Sequence, residues 1–185
     1  MRKSLLTVAS MLIGIVFVSG GCSASGAAWE SFRIGKNVAK KDSYLKIWID
    51  GHEAEQNKLK KAYFGYASFK VKETVSTKPT FKFDFIDPKK FGRITGTNIQ
   101  VHQEFEGDYS HQPEFTIFPA KDDADHWMKP NTDYDLGHTG EQLKVLNFDK
   151  KEVEGIELRP GMEYLFVFCV SGDRSETVQI LFSTK

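Results

Sequence analysis

Residues 157–170 decide the fold, because in Glu157-Leu158-Arg159-Pro160-Gly161-Met162-Glu163-Tyr164-Leu165-Phe166-Val167-Phe168-Cys169-Val170 a turn precedes the most apolar run beyond the N-terminus. Pro160 fixes φ and Gly161 accepts backbone angles that other residues avoid, so both suit a turn. Successive side chains of a strand alternate between its two faces, and here both faces are apolar. The stretch therefore predicts a central strand, 162–170, that is covered on both sides.

Shorter stretches of alternating apolar residues, bounded by turn residues, predict the other strands. They cover residues 44–49, 62–72, 81–85, 94–101, 115–118, 143–148 and 177–183. No long helical period interrupts them. A chain of 185 residues with this pattern predicts one all-β domain, an antiparallel β-sandwich spanning residues 43–185.

The spacing Leu158-x-Pro160-Gly161-x-x-Tyr164 resembles the E–F corner of fibronectin type III and immunoglobulin-like sandwiches. In those domains a tyrosine near the start of a central strand bonds back to the backbone a few residues upstream. The resemblance implies that Tyr164 is this tyrosine. It covers roughly residues 156–185 and implies a fold without implying a function.

The N-terminus has the pattern of an export signal. Arg2 and Lys3 precede an apolar segment, 5–18, which is too short to span a membrane. Ser19-Gly20-Gly21-Cys22 resembles the lipobox of bacterial lipoproteins, in which the cysteine is acylated and becomes the new N-terminus. The resemblance implies a signal peptide at 1–21, lipidation of Cys22 and a lipidated tether at 22–42. Ordinary signal-peptidase cleavage near residues 24–28 is the alternative.

The composition and the signal indicate where the protein acts. Ser23 after the cysteine resembles the signal for delivery to the outer membrane, so we expect a lipid-anchored protein of the cell envelope. Lysine plus arginine and aspartate plus glutamate number 25 each, and removal of Arg2 and Lys3 leaves a net charge of −2. This balance predicts no nucleic-acid partner. Acylation of Cys22 would leave Cys169 as the remaining cysteine, a small buried side chain.

One face of the 162–170 strand carries Leu165, Val167 and Cys169, and something must cover it. The cover is either a segment of this chain, residues 29–41 or the insertion 120–138, or a protein partner in the envelope. Residues 29–41 mix Trp29 and Phe32 with lysines. They either pack on the sheet or contact the lipid surface.

The polar insertion 120–138 is the strongest place to look for a ligand site, because structureless loops of this length are uncommon. Three of its carboxylates could supply calcium with oxygen ligands: Asp122, Asp123 and Asp125. Four other residues could hold a sugar by stacking and hydrogen bonding: Trp127, Tyr134, Asp133 and Asp135. The competing interpretations are a solvated acidic loop and aromatic rings that cap the core.

Motifs of catalysis are missing from the sequence. The five histidines lack zinc-ligand spacing, and the chain has no nucleophile elbow, phosphate-binding loop or dinucleotide fingerprint. A hydrolytic pair among Glu104, Glu106 and Asp108 is the remaining enzymatic hypothesis. The sequence predicts a lipid-anchored, non-enzymatic binding or assembly protein of the envelope without a cofactor, whose partner is an unspecified envelope protein. A carbohydrate- or calcium-binding domain using residues 120–138 is the alternative.

Overall fold

The computed structural model describes residues 34–35, 43–56, 62–63, 66–105, 108–109, 112–121 and 127–185. The predicted signal peptide, 1–21, lies outside these residues, as do Cys22 and most of the predicted tether, 22–42. Within the described parts of the chain, no helix is both long enough and apolar enough to cross a bilayer.

The described residues form an all-β domain, as the sequence predicts, with a single short helix. The strands are β1 Ile34–Gly35, β2 Leu45–Ile49, β3 His52–Glu53, β4 Glu55–Gln56, β5 Ala62–Tyr63, β6 Ala67–Val75, β7 Thr80–Phe85, β8 Ile94–Phe105, β9 Asp108–Tyr109, β10 Phe115–Pro119, β11 Tyr134–Asp135, β12 Leu143–Asn147, β13 Glu152–Val153, β14 Glu163–Gly172 and β15 Glu176–Thr184, and the helix is α1 Pro88–Phe91. β1 and β5 pair only with each other.

The larger sheet has the strand order β13-β12-β10-β8-β14-β15-β6-β4, and β9 adds to β8. β14 lies between β8 and β15 and pairs antiparallel with both. The prediction of a central strand is therefore confirmed. Large apolar side chains occupy both of its faces from Tyr164 to Phe168, and this composition suits a strand in the interior of the sheet.

One strand pair departs from the predicted antiparallel arrangement. β6 runs parallel to β15, with Ala67 beside Val178 and Ser68 beside Gln179. The prediction of a wholly antiparallel sandwich is wrong for this pair. The reason is topological. The β14–β15 hairpin lies at the end of the sheet at which β6 also begins, so β15 and β6 start from the same end and run in the same direction.

The smaller sheet, β11-β7-β2-β3, packs face to face on the larger one. Phe81 and Phe83 of β7 are fully buried, and their ring centroids lie 5.0 and 4.9 Å from that of Phe168 in β14. Offset or tilted aromatic pairs at these distances are favourable beyond the area that they bury. The core of the domain thus lies between the two sheets.

The strands give the domain two ends. Tyr44 follows the point where the chain enters the domain; its carbonyl accepts a hydrogen bond from Ile86 N–H at 2.8 Å, and its own N–H donates to Glu176 at 3.1 Å. We call this side the entry end. β14 runs from Tyr164 toward the entry end at Gly172, over about 26 Å at the usual rise per residue. The opposite side is called the far end.

Candidate binding groove at the far end

The corner before β14 lies at the far end and is held by Tyr164. The Tyr164 ring is fully buried, and its hydroxyl oxygen accepts a hydrogen bond from the backbone N–H of Arg159 at 2.9 Å. Leu158 is buried beneath the turn, whereas Pro160 and Gly161 are exposed. Gly161 has φ 70°, the left-handed region that favours glycine. The corner resemblance implies a contact of this type between Tyr164 and the upstream backbone.

A second strand end fastens the same corner. The Thr184 hydroxyl of β15 donates to the Arg159 carbonyl at 2.6 Å and accepts from Met162 N–H at 3.1 Å. Burial raises the pKa of the Tyr164 hydroxyl, while the hydrogen bond from Arg159 opposes that shift. The backbone N–H and C=O groups of Arg159 are both hydrogen-bonded within the domain, so the corner is fastened to β14 and to β15.

An open groove of about 350 Å³ lies next to the corner. Its floor and walls come from the start of β10, the end of β12 and the chain between β13 and the corner. The lining residues are Glu114, Phe115, Asn147, Phe148, Val153, Gly155 and Glu157. Phe148 is 61% exposed, the highest value among the large apolar side chains that are described as exposed.

Glu114 gives the groove an unsatisfied polar group. Its Oε2 atom is buried and has no hydrogen-bond partner among the described residues. Burial raises the pKa of this carboxyl, and the positive charge of Arg159 opposes the shift. A buried acceptor without a donor is unfavourable by about 1–3 kcal/mol. Glu114 also lines the groove, so an N–H group or a cation bound there would interact favourably with its carboxylate.

The other charges at the groove are exposed and have partners. Glu157 Oε2 lies 3.6 Å from Lys78 Nζ, and Glu152 Oε2 of β13 lies 2.7 Å from Lys144 Nζ. Exposed ion pairs of this kind contribute little to stability. The arrangement therefore suits binding of an apolar side chain next to a hydrogen-bond donor.

Sequence reasoning missed this groove, although a signal was present. The apolar pattern assigns Phe148 to the strand 143–148 together with Leu143 and Val145, yet Phe148 is out of phase with them. Leu143 and Val145 are buried in the core, and the strand ends at Asn147. An aromatic residue on the opposite face, directly before a turn, is a residue that the core does not use.

The insertion 120–138 is only partly described. The predicted calcium ligands Asp122, Asp123 and Asp125 lie outside the described residues. No group of three or more metal-ligating side chains occurs in the part of the chain that is described. Asp133 is exposed, and Asp135 Oδ1 accepts hydrogen bonds from the backbone N–H groups of residues 137 and 138 at 2.9 and 3.1 Å. Asp135 thus acts as a turn-forming residue.

The aromatic residues of the insertion belong to the domain itself. Tyr134 is 7% exposed, lies in the core cluster and pairs with Phe81 as part of β11. Its hydroxyl oxygen accepts a hydrogen bond from Lys129 N–H at 2.6 Å, and Trp127 is half-buried. A ring so deeply buried has no face open to a sugar. The expectation of a structureless insertion is wrong at β11, because Tyr134 extends the smaller sheet.

The second face of β14 is also buried. Leu165 and Val167 are 0 and 3% exposed, although neither belongs to the core cluster between the sheets. Nearby on this face, the Gln179 amide donates to the Ser68 hydroxyl at 2.7 Å. The predicted cover at 29–41 lies outside the described residues apart from Ile34 and Gly35. Of the described part of the insertion, Met128, Tyr134 and Leu136 belong to the core between the sheets.

Cys169 of this face differs from the prediction. It is half-buried, its sulfur accepts a hydrogen bond from the Thr177 hydroxyl at 3.4 Å, and it is disulfide-bonded in the structure. The expectation that Cys169 remains a lone buried thiol is therefore corrected. The chain has one other cysteine, Cys22, which lies outside the described residues, so a disulfide of Cys169 within one chain and acylation of Cys22 exclude each other.

Comparison of the chain with protein-family models, curated proteins and solved structures gave no match. The residues of the groove are therefore the evidence for what it binds. Its exposed aromatic ring, half-buried carboxyl and hydrogen-bonded corner are properties of a binding surface, and they lie at the end opposite the entry of the chain.

Proposed function

We propose that this protein is a non-enzymatic, lipid-anchored protein of the cell envelope that binds a protein partner through the groove at the far end. The observation that carries the proposal is a groove lined both by Phe148, which is 61% exposed, and by Glu114, which has an unsatisfied carboxyl oxygen. Aromatic side chains that fill a partner's pocket are frequent binding hot spots. The partner would present an apolar side chain next to an N–H donor, a lysine or an arginine.

The anchoring half of the proposal rests on the sequence. The lipobox-like Ser19-Gly20-Gly21-Cys22 supports acylation of Cys22, and Ser23 supports delivery to the outer membrane. Several acyl chains, at about 0.8 kcal/mol per buried methylene, give durable attachment. An anchor near residue 22 and a groove at the far end would present the groove to other envelope proteins.

We further propose that the domain is an immunoglobulin-like or fibronectin type III-like sandwich. The hydrogen bond between Arg159 N–H and the Tyr164 hydroxyl supports this proposal, as do two sheets packed through phenylalanines of β7 and β14. The fold alone would not specify a partner.

Membrane fractionation tests the anchor. The unaltered chain should sediment with membranes, and Cys22→Ser should appear in the soluble fraction. Retention of the Cys22→Ser chain in the membrane would contradict lipidation. Intact-mass spectrometry adds a second criterion, because acylation makes the Cys22 sulfur a thioether and so excludes a disulfide through it. An acyl adduct supports the proposal, whereas a Cys22–Cys169 disulfide in the purified protein would refute it.

A crosslinking experiment tests the groove. Envelope proteins crosslinked to the unaltered chain are identified, purified and titrated against Phe148→Ser and Ile86→Ser. Ile86 is a matched control, since it is 59% exposed and lies at the entry end. Loss of binding only with Phe148→Ser is the expected result. Equal loss with both variants would show that the groove is not the binding surface.

A further inference from the structure

A cluster of exposed basic and apolar side chains lies at the entry end. It comprises Tyr44, Ile86, Lys89, Arg93 and Arg174, which we call the entry patch. Tyr44 and Ile86 are 38 and 59% exposed, although both are large apolar side chains. The three cations are exposed as well. Apolar residues rimmed by cations are typical of surfaces that lie on anionic membranes.

Three loops hold the entry patch together. Ile86 N–H bonds to Tyr44 O at 2.8 Å, and the Arg174 guanidinium lies 5.7 Å from the Tyr44 ring centroid. Arg93 N–H donates to Asp173 Oδ2 at 2.9 Å, and Asp173 N–H donates to Arg93 O at 3.0 Å. Hydrogen bonds therefore join the three backbone segments that carry the patch.

The described acidic residues near the patch have partners within the domain. Asp87 pairs with Lys90 at 3.3 Å, and Asp173 accepts the backbone N–H of Arg93. Glu176 is 4% exposed and accepts the N–H of Tyr44. Residues 122–126, which include three aspartates, are outside the described residues and do not enter this balance. Asp173 stays exposed, so the described charges of the patch are three exposed cations, the Asp87–Lys90 pair and one exposed carboxylate, and cations are in excess.

The chain outside the domain indicates which surface the patch meets. Ser43 enters the domain at this end, and Cys22 precedes it by 21 residues. A chain of that length reaches at most about 75 Å even when fully extended. We propose that the entry patch docks on the anionic surface of the bilayer that carries the lipid anchor. This inference rests on the proposed anchoring, and it orients the groove away from the membrane.

The expected strength follows from the charges. Each lysine or arginine near an anionic surface contributes about 1 kcal/mol, which corresponds to roughly a fivefold change in binding. Neutralising Lys89 and Arg93 together should therefore weaken binding to anionic vesicles about 30-fold. Ile86→Ser should weaken binding several-fold by removing the most exposed apolar side chain of the patch.

Vesicle co-sedimentation tests the docking. The Cys22→Ser chain, which lacks the lipid, is mixed with phosphatidylcholine vesicles that contain or lack phosphatidylglycerol. We expect salt-sensitive binding only when phosphatidylglycerol is present, with the stated losses for Lys89→Gln/Arg93→Gln and for Ile86→Ser. Lys150→Gln/Lys151→Gln is the matched control, because it removes two exposed cations at the far end. Circular dichroism establishes that each variant is folded. If the double variant does not fold, the single Ile86→Ser variant decides the docking proposal.

The outcomes separate docking from anchoring and from groove binding. Equal binding to both vesicle types, or equal losses in the entry-patch and Lys150/Lys151 variants, would overturn the docking proposal. An unacylated natural protein would overturn the anchor and leave the vesicle result standing. Phe148→Ser should bind vesicles normally, so failure of the groove proposal is recognised independently.

Discussion

Replacement of Tyr164 by phenylalanine removes one oxygen atom from the centre of the far end. The ring would stay in place, since it is fully buried and stacks on Phe182 at a centroid distance of 6.1 Å. The change leaves the partly buried N–H of Arg159 without its acceptor at 2.9 Å. The carbonyl of Arg159 keeps its bond from Thr184, so the corner should remain formed but less stable.

The size of the effect follows from that single lost bond. A buried donor without a partner costs about 1–3 kcal/mol, and the partial burial here places the loss near about 1.5 kcal/mol. In a domain of this size, 1 kcal/mol corresponds to about 2–4 °C in Tm. Tyr164→Phe should therefore lower Tm by about 3–6 °C.

Urea unfolding of the full chain, followed by circular dichroism, measures this loss. Tyr134→Phe is the matched comparison, because the Tyr134 hydroxyl accepts a bond from Lys129 N–H with the same five-residue spacing. A similar loss is expected there. If Tyr164→Phe left the free energy of unfolding within about 0.3 kcal/mol of the unaltered value, the corner would not stabilise the fold as argued.

The same variant has a pH signature. Burial raises the pKa of Tyr164, and it also raises the pKa values of Tyr66 and Tyr134. A raised pKa in the folded state means that the stability is fully present below the unfolded value near 10 and is lost as the pH rises through the folded value. Tyr164→Phe should make the decline of stability above about pH 10 less steep. An unchanged decline would contradict this reasoning.

Three further changes test the core, the groove and the entry end. Phe168→Ala should reduce the free energy of unfolding by about 3–5 kcal/mol in a urea titration, because it empties the contact between the sheets, and a loss smaller than about 2 kcal/mol would argue against that contact. Glu114→Gln should raise Tm at neutral pH and have no effect below about pH 4, because burial raises the Glu114 pKa and its ionised form destabilises the fold; stabilisation that persists at low pH would point to another cause. Gly172→Ala should cost about 1–3 kcal/mol, since a β-carbon there would collide with the Arg93 carbonyl oxygen, and a neutral result in thermal unfolding would show that the loop yields.

If the groove binds a partner as proposed, binding and stability of the domain should be in opposition at Glu114. A carboxyl with a buried, unsatisfied oxygen lowers stability, and residues of this kind are common where a surface is built for binding. The Glu114→Gln variant should consequently be more stable and bind the partner less tightly. Tm and the Kd of the partner complex, measured on the same preparation, test both halves of that expectation.

Local sequence patterns predicted much of the fold. Alternation of Phe81, Phe83 and Phe85 predicted a strand with one buried face, and those rings are 0, 0 and 7% exposed. The run at 162–170, which is apolar on both faces, predicted a central strand covered on both faces, and β14 has that place. A period of two residues identifies strands because alternate side chains of any strand lie on the same face, whichever strands it pairs with.

The sequence by itself determined most of the longer strands, the central place of β14 and the hydrophobic pattern of the core, because each is written in contiguous residues. The tertiary structure alone decided the parallel pairing of β6 with β15, the use of Tyr134 in a sheet, the placing of Glu114 and Phe148 in one groove and the contact of Tyr44 with Arg174. Those contacts join residues that are far apart along the chain, or depend on which end of a strand faces another. Nothing in the local pattern specifies such distances, so only the packing of the two sheets could fix them.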